Sequence, residues 1–179
     1  AGGLSTHLDG ARFMNASIEL GVTPEKLAAP FDTVSLCLSK GLGAPVGSVL
    51  SGTEAFIKRA RRNRKLLGGG TRQAGILAAA GSYALDNHVE RLADDHVNAK
   101  RLAEALSSIH QLEIKQRTNM VFITPAGGGQ AELQSYLSDH GIVISAGVPS
   151  IRLVMHLDVK QEDVERIIDA IQVFYRQVS

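Results

Sequence analysis

The segment SLCLSKGLGAPVG, residues 35–47, is the most informative stretch of this chain for its fold and its expected chemistry. Residues 33–38 form a run rich in apolar and β-forming side chains, which is typical of a buried parallel strand. Lys40 follows this run directly, and a glycine-rich turn comes next. The turn leaves the lysine amine without steric obstruction, so Lys40 is the first candidate functional residue.

The segment HLDGAR, residues 7–12, is the companion of that pattern. Residues 4–9 predict a short strand that ends at Asp9, and residues 11–20 predict a helix that stops at Gly21. A further turn of helix, opening at Pro24, precedes the next strand. A strand, a crossover helix and a strand in this order form parallel neighbours in one sheet.

Asp9 and Lys40 then lie at the carboxyl ends of parallel strands, where open α/β sheets bind ligands. A lysine that bonds to an aldehyde and an aspartate that keeps a pyridine nitrogen protonated are the two side chains that pyridoxal phosphate chemistry needs most. A carboxylate buried at a strand end needs a cationic partner, which such a nitrogen supplies. Two ordinary roles stay open from the residues alone: Lys40 as a lysine that ends a strand, and Asp9 as a helix N-cap.

Four motifs extend the pattern over nearly the whole chain, namely HLDGAR, SLCLSKGLGAPVGS, RKLLGGGTRQAGILAAA and RLVMHLD. In this order they closely resemble the low-specificity L-threonine aldolase family. The resemblance implies a fold-type I pyridoxal phosphate enzyme of the aspartate aminotransferase superfamily, with an α/β large domain and a C-terminal α+β small domain. Family members carry an N-terminal part before the first motif, with phosphate-binding residues and two active-site histidines, and these have no counterpart here. Since the chain begins at Ala1 without a methionine, we expect a C-terminal portion of such an enzyme.

The resemblance implies cofactor-binding roles for four residues. Lys40 would bond to pyridoxal 5'-phosphate and Asp9 would hold its ring nitrogen, and both would be catalytic. Arg12 would lie near the phenolic oxygen of the ring, although from the residues alone it equally suits a solvated first helical turn. Arg72 follows three glycines at the expected start of a helix, which is a ready anion site. In the family that arginine reaches the cofactor phosphate from the neighbouring subunit.

Lys65 and Arg152 resemble the residues that bind the substrate carboxylate in the family. Arg152 interrupts an otherwise apolar strand, and a guanidinium can hold a carboxylate in a bidentate fork. Lys65 ends the charged run over residues 58–65, which invites a nucleic-acid interpretation. That run has no interleaved aromatic residues and the net charge is only +1, so a solvated or subunit-facing helix is favoured.

Two other motifs lack the sequence context that their functional interpretation requires. Residues 41–43, GLG, suggest a dinucleotide-binding loop, but Pro45 and a strand follow where a helix is required. His7 and Asp9 share one face of a strand, but two ligands do not make a metal site, and none is expected.

The amino-acid composition restricts the classes of protein to which the chain can belong. The chain has 179 residues, of which 44% are hydrophobic, enough for an apolar core. Near-neutral charge implies no nucleic-acid partner, and no apolar run reaches the roughly 18 residues of a membrane span. Cys37 is the single cysteine, which excludes a disulfide framework and favours a reducing, cytoplasmic compartment.

Periodicity predicts the remaining elements. Strands are expected at residues 46–51, 112–115, 120–124, 142–144 and 151–156, and helices at 53–64, 76–80, 89–109 and 131–139. A last helix is expected to be capped by Asp158, with Val164, Ile167, Ile168, Ile171 and Phe174 as its apolar stripe. The expected domains are residues 1–85, the end of the cofactor-binding domain, and residues 86–179, the connecting helix and small domain.

The expected function is retro-aldol cleavage of L-threonine or L-allo-threonine to glycine and an aldehyde. The family also implies a homo-oligomer, a dimer or tetramer, with an active site shared between subunits and an amino acid as substrate. One alternative is another fold-type I activity, such as an aminotransferase or a β-eliminating lyase. The other is a catalytically incomplete chain that pairs with the missing N-terminal part.

Overall fold

Two three-stranded sheets organise this chain, one in each of two units. The computed structural model describes residues 3–145 and 147–178. The units are Ala1–Leu92 and Ala93–Ser179, whereas the sequence placed the boundary after residue 85. Each unit has its own cluster of buried apolar side chains, so each is described by itself.

The first unit contains the predicted strand, helix and parallel strand. Its elements are β1 (His7–Gly10), α1 (Phe13–Leu20), α2 (Pro24–Ala28), β2 (Thr33–Cys37), β3 (Ser48–Ser51), α3 (Glu54–Leu66) and α4 (Gly75–Asn87). The strand order is β1-β2-β3, with β1 parallel and β3 antiparallel to β2. The parallel pairing confirms the crossover predicted from the sequence.

Local signals set the helix ends of the first unit. Gly21 adopts the left-handed conformation, with φ 61°, and ends α1, as predicted. The hydroxyl of Thr53 accepts the backbone N–H of Phe56 and caps α3. α4 extends beyond residue 80, the end of the helix predicted here, and includes Gly81. A Cβ at Gly81 would lie 2.9 Å from Leu38 Cδ1. Glycine therefore allows this helix and the end of β2 to approach closely.

The second unit is a layer of helices on one face of an antiparallel sheet. Its elements are α5 (Leu92–Leu106), which starts at the last residue of the first unit, β4 (Leu112–Arg117), β5 (Met120–Pro125), α6 (Gln130–Asp139), β6 (Ile151–Val154) and α7 (Gln161–Gln177). The strand order is β4-β5-β6, and both pairings are antiparallel. The fully buried side chains of the core come from the three helices and from alternate strand positions; they include Leu102, Leu106, Val121, Ile123, Leu133, Leu137, Ile151 and Ile171.

The last helix has the apolar stripe that the sequence predicted. Val164, Ile168 and Ile171 are buried against the core, and Ile167 and Phe174 are partly buried beside them. Fully burying one such side chain stabilises a fold by about 1.5–3 kcal/mol. Of the helices in the described part of the chain, none has the length and apolar character needed to cross a bilayer.

The strand expected at residues 142–144 does not form. Ile142 is buried and Val143 is 89% exposed, which gives the alternation of a strand. However, the Ile142 N–H donates to Leu137 O at the end of α6, and the Ile144 carbonyl accepts from Gln134 Nε2. These backbone groups are satisfied by a neighbouring helix, so no ladder is needed.

Asp158 does not cap the last helix, so that expectation is also wrong. The helix begins two residues later, with Lys160 at the N-cap, and the Lys160 N–H donates to the Asp163 carboxylate at 2.9 Å. Asp158 instead lies 3.6 Å from His156, measured from Oδ2 to Nδ1. The acidic residue three positions into the helix therefore satisfies the free amide.

Candidate active site

The carboxyl ends of β1 and β2 form the candidate site of the first unit. Asp9 is paired with Ser35 in the parallel register, and Gly10 is paired with Leu36. Both strands run in the same direction, so the residues that follow them emerge at one edge of the sheet. Lys40, which follows β2, therefore emerges at the edge where β1 ends just after Asp9.

Asp9 is exposed, whereas the sequence led us to expect a buried carboxylate. It does not cap α1 either, because the N-cap position is Arg12 and no side chain caps that helix. Within residues 3–145 and 147–178, the Asp9 carboxylate makes no hydrogen bond or ion pair. It lines a hollow of about 410 Å³ together with Arg12 and apolar residues of α1 and α2. The carboxylate is thus available to a cationic ligand.

Arg12 lies in the same hollow as Asp9. It is partly buried and takes part in a polar interaction of its own. The interpretation as a fully solvated first-turn arginine therefore does not hold, and the structure brings Arg12 and Asp9 together at the end of β1.

Lys40 lies on a loop that its own backbone closes. The Gly43 N–H donates to Lys40 O at 2.8 Å, and the Ala44 N–H donates to Leu38 O at 3.0 Å. Leu42 and Ala44 are buried beneath the loop, whereas Lys40 is exposed. The Lys40 amine has no hydrogen-bond or ion-pair partner in the described part of the chain. A fixed backbone therefore presents an amine that is accessible to a ligand.

Two contacts to this loop could not be predicted from the sequence. The Nδ1 atom of His88 lies 2.6 Å from the carbonyl oxygen of Leu42. The buried side chain of Asn15 lies against Gly41, since a Cβ at Gly41 would come within 3.0 Å of Asn15 Oδ1. No local motif marks His88. The only sequence signal for Asn15 was that a polar residue occupies a position of α1 that faces the core.

Arg72 and Lys65 lie on either side of the glycine turn at residues 68–70. Arg72 was expected to begin a helix, but it lies in the turn before α4, whose N-cap is Ala74. Lys65 is exposed in the last turn of α3, and its side chain folds over Gly70. Neither cation has a partner among the residues that the structure describes.

Arg152 belongs to the second unit. It is exposed on the outer face of the sheet opposite Phe122, while its neighbours Ile151 and Leu153 point into the core. It lines a hollow of about 590 Å³ together with Ser150 and His156, among others. No acidic residue within the described ranges pairs with its guanidinium.

His7 shares the exposed face of β1 with Asp9, and its Nδ1 lies 2.8 Å from the hydroxyl of Thr33. This hydrogen bond links β1 to β2 near their amino ends. Its imidazole therefore has a structural partner in the sheet.

Hydrogen bonds and burial change the pKa of several groups in the described chain. A hydrogen bond from Arg101 lowers the pKa of Glu165, and the same bond raises the pKa of Arg101. Burial raises the pKa of the Tyr175 phenol, and backbone and Thr23 hydrogen bonds lower the pKa of Glu25.

Comparison with known proteins shows which family this chain resembles. The family model described as Beta-eliminating lyase matches residues 1–127. The chain is 46% identical over 164 residues to the low specificity L-threonine aldolase of Escherichia coli, covering 92% of this chain and 49% of that protein. It is 42% identical over 177 residues to low-specificity L-threonine aldolase 1 of Arabidopsis thaliana, covering 95% and 49%. The resemblance stated from the motifs is confirmed, and the chain spans about half the length of these relatives.

Solved structures show the same fold. A Listeria monocytogenes structure assigned as an L-allo-threonine aldolase matches with a TM-score of 0.79 at 20% identity, over 96% of this chain and 52% of that one. The serine palmitoyltransferase of Sphingomonas wittichii matches with a TM-score of 0.73 at 19% identity, over 98% and 48%. These likenesses confirm the expected fold class.

Proposed function

The chain belongs to the beta-eliminating lyase family, and we propose that its protein is a pyridoxal phosphate-dependent aldehyde-lyase. Its substrates would be L-threonine, L-allo-threonine and other β-hydroxy-α-amino acids, cleaved to glycine and an aldehyde. One observation carries the proposal. A chain 46% identical to an L-threonine aldolase presents, at one edge of a parallel strand pair, a lysine and an aspartate that have no partner among the described residues.

The residues present fit the proposed cofactor. Pyridoxal phosphate needs an amine for its aldehyde, an anion for its protonated ring nitrogen and a cation for its phosphate. Lys40 and Asp9 supply the first two at the same sheet edge, and both are exposed. Arg72 supplies a cation with no partner in the described residues, and we propose that it acts in the site of a neighbouring subunit.

Each residue of the first unit then has a separate task. The bound cofactor supplies an electron sink for cleavage of the Cα–Cβ bond. The Lys40 amine would hold the cofactor covalently. The Asp9 carboxylate would keep a proton on the ring nitrogen, because the ion pair favours the protonated state. Arg12 lies in the hollow beside Asp9 and would bind the phenolic oxygen of the ring.

The cationic side chains of Arg152 and Lys65 would orient the substrate. Arg152 is exposed and has no acidic partner within the described ranges, so its fork is available to a carboxylate. Lys65 assists as a point charge at the glycine turn. A carboxylate held in this way fixes which bond at Cα is cleaved, since the amino acid cannot rotate.

Three finer features are part of the proposal. The enzyme would be a homo-oligomer, a dimer or homotetramer, and Arg72 and the charged face of α3 would lie near its subunit contacts. It would act in the cytoplasm, consistent with the single free thiol of Cys37. There it would degrade threonine and supply glycine.

The decisive experiment measures acetaldehyde released from L-threonine by the full protein with pyridoxal phosphate and no keto acid. Release of acetaldehyde with an equal amount of glycine supports the proposal, and the Lys40→Ala variant is the negative control. Turnover that requires a keto acid would make the protein an aminotransferase. Release of ammonia and a keto acid would make it a β-eliminating lyase. An intact mass of the active material shows whether a longer chain or a second polypeptide is needed.

A further inference from the structure

The loop that carries Lys40 has a side-chain anchor in addition to its backbone bonds. His88, at the carboxyl end of α4, reaches across to the Leu42 carbonyl oxygen at 2.6 Å. Leu42 lies two positions after Lys40 and is 3% exposed. The hydrogen bond therefore fixes the loop at a buried residue, two positions after the exposed Lys40.

The chemistry of this contact defines the imidazole tautomer. A carbonyl oxygen only accepts, so the Nδ1 atom of His88 carries the proton. Nδ1 remains a donor whether the ring is neutral or charged, so the bond survives either state. The ring of Tyr83 meets the imidazole edge-on, with centroids 5.5 Å apart, and restricts its orientation.

The opposite side of the loop is also held. A Cβ at Gly41 would lie 2.9 Å from Leu92 Cδ2 and 3.0 Å from Asn15 Oδ1, so these side chains would have to shift to admit a larger residue. The residue after Lys40 is thus packed against two buried side chains, and the residue after that is hydrogen-bonded to His88. Three elements, α1, α4 and the start of α5, converge on the backbone next to one lysine.

We propose that His88 is a positioning residue for Lys40. It acts through the Leu42 carbonyl and keeps the loop in the conformation that presents the amine to the cofactor and substrate. The inference deepens the proposed function and rests on it for the role of Lys40. The effect of the His88–Leu42 hydrogen bond on the loop can be measured even if Lys40 does not have its proposed role.

The test compares His88→Ala and His88→Asn in the full protein, with Asn87→Ala as matched control. Asn can donate from Nδ2 near the position of Nδ1, so it should preserve the bond. Asn87 is on the same last turn of α4 but bonds to Tyr83 O, not to the loop. Hydrogen exchange in the cofactor-free protein should accelerate at residues 41–44 in His88→Ala only. In the loaded enzyme, His88→Ala should lower kcat for threonine by about 10- to 100-fold, with KM changed less than about threefold.

The possible outcomes distinguish failure of the proposed function from failure of the positioning role of His88. If the wild type cleaves no threonine but exchange still accelerates in His88→Ala, the proposed function fails and the anchoring stands. If the wild type cleaves threonine while His88→Ala exchanges and turns over like Asn87→Ala, the positioning role is wrong. Equal loss of kcat in His88→Asn and His88→Ala would also overturn it, because the hydrogen bond would then not be the cause.

Discussion

Asp9 lies in register with Ser35 in the parallel pair of β1 and β2. This pairing brings an exposed carboxylate to the strand next to the one that leads into Lys40. Because the two side chains make no hydrogen bond or ion pair within residues 3–145 and 147–178, both are available to one ligand that carries an aldehyde and a basic ring nitrogen.

Lys40→Ala should abolish turnover, because the amine that bonds to the cofactor is lost. The fold should be unaffected, since Lys40 is exposed and has no partner in the described chain. Borohydride reduction followed by peptide mapping of the wild type should place the cofactor on Lys40. Lys65→Ala is the matched control and should keep that label. A label found on Lys65 would contradict the assignment.

Asp9→Asn should weaken cofactor binding by about tenfold to more than a hundredfold. A charge-assisted hydrogen bond contributes roughly 1.5–3 kcal/mol, and the neutral amide no longer favours a protonated ring nitrogen. Stability should change by less than about 0.5 kcal/mol, because Asp9 is exposed. A fluorescence titration measures the affinity, with Asp86→Asn on α4 as control. Near-normal affinity and turnover would mean that the ring partner lies elsewhere.

Arg152→Lys should raise the KM for threonine by about tenfold to more than a hundredfold, because an ammonium cannot reproduce a bidentate fork. The melting temperature and the spectrum of the bound cofactor should stay unchanged, since Arg152 has no structural ion pair in the described ranges. Arg117→Lys, another exposed arginine of the same sheet, is the control. Unfolding or cofactor loss with an unchanged KM would refute the carboxylate role.

The Arg101–Glu165 pair should make the stability of the second unit depend on pH. Arg101 Nε donates to Glu165 Oε1 at 2.8 Å and lowers the pKa of the glutamate below its ordinary 4.5. The folded state therefore favours the ionised carboxyl, and the stabilisation is present above about pH 4.5. It is lost as the pH falls through the lowered pKa, where both states are protonated.

Thermal unfolding of the wild type and Glu165→Gln should measure this effect. The difference in melting temperature should be largest near neutral pH and should disappear at acidic pH. High salt should also reduce it, because both side chains are about half exposed. A difference that does not change between neutral and acidic pH would show that Arg101 is not its source.

The crossover of the first unit and the positions of the two strand-end residues could be predicted from the amino-acid sequence. Apolar runs, Gly21 and the handedness of parallel connections are enough to place Asp9 and Lys40 at one sheet edge, because these signals are local or follow from chain connectivity. The Thr53 cap and the stripe of α7 were predictable for the same reason.

Which residues have hydrogen-bond partners depends on how the elements pack in three dimensions. Residues 142–144 alternate like a strand, but Leu137 O and Gln134 satisfy their backbone, and no periodicity can show that. Likewise, Asp9 is exposed and not buried. The anchor from His88 to Leu42 joins residues 46 positions apart. Hydrogen-bond partners at such separations arise only when packing brings elements together, so the sequence specifies the reactive groups and the fold specifies what holds them.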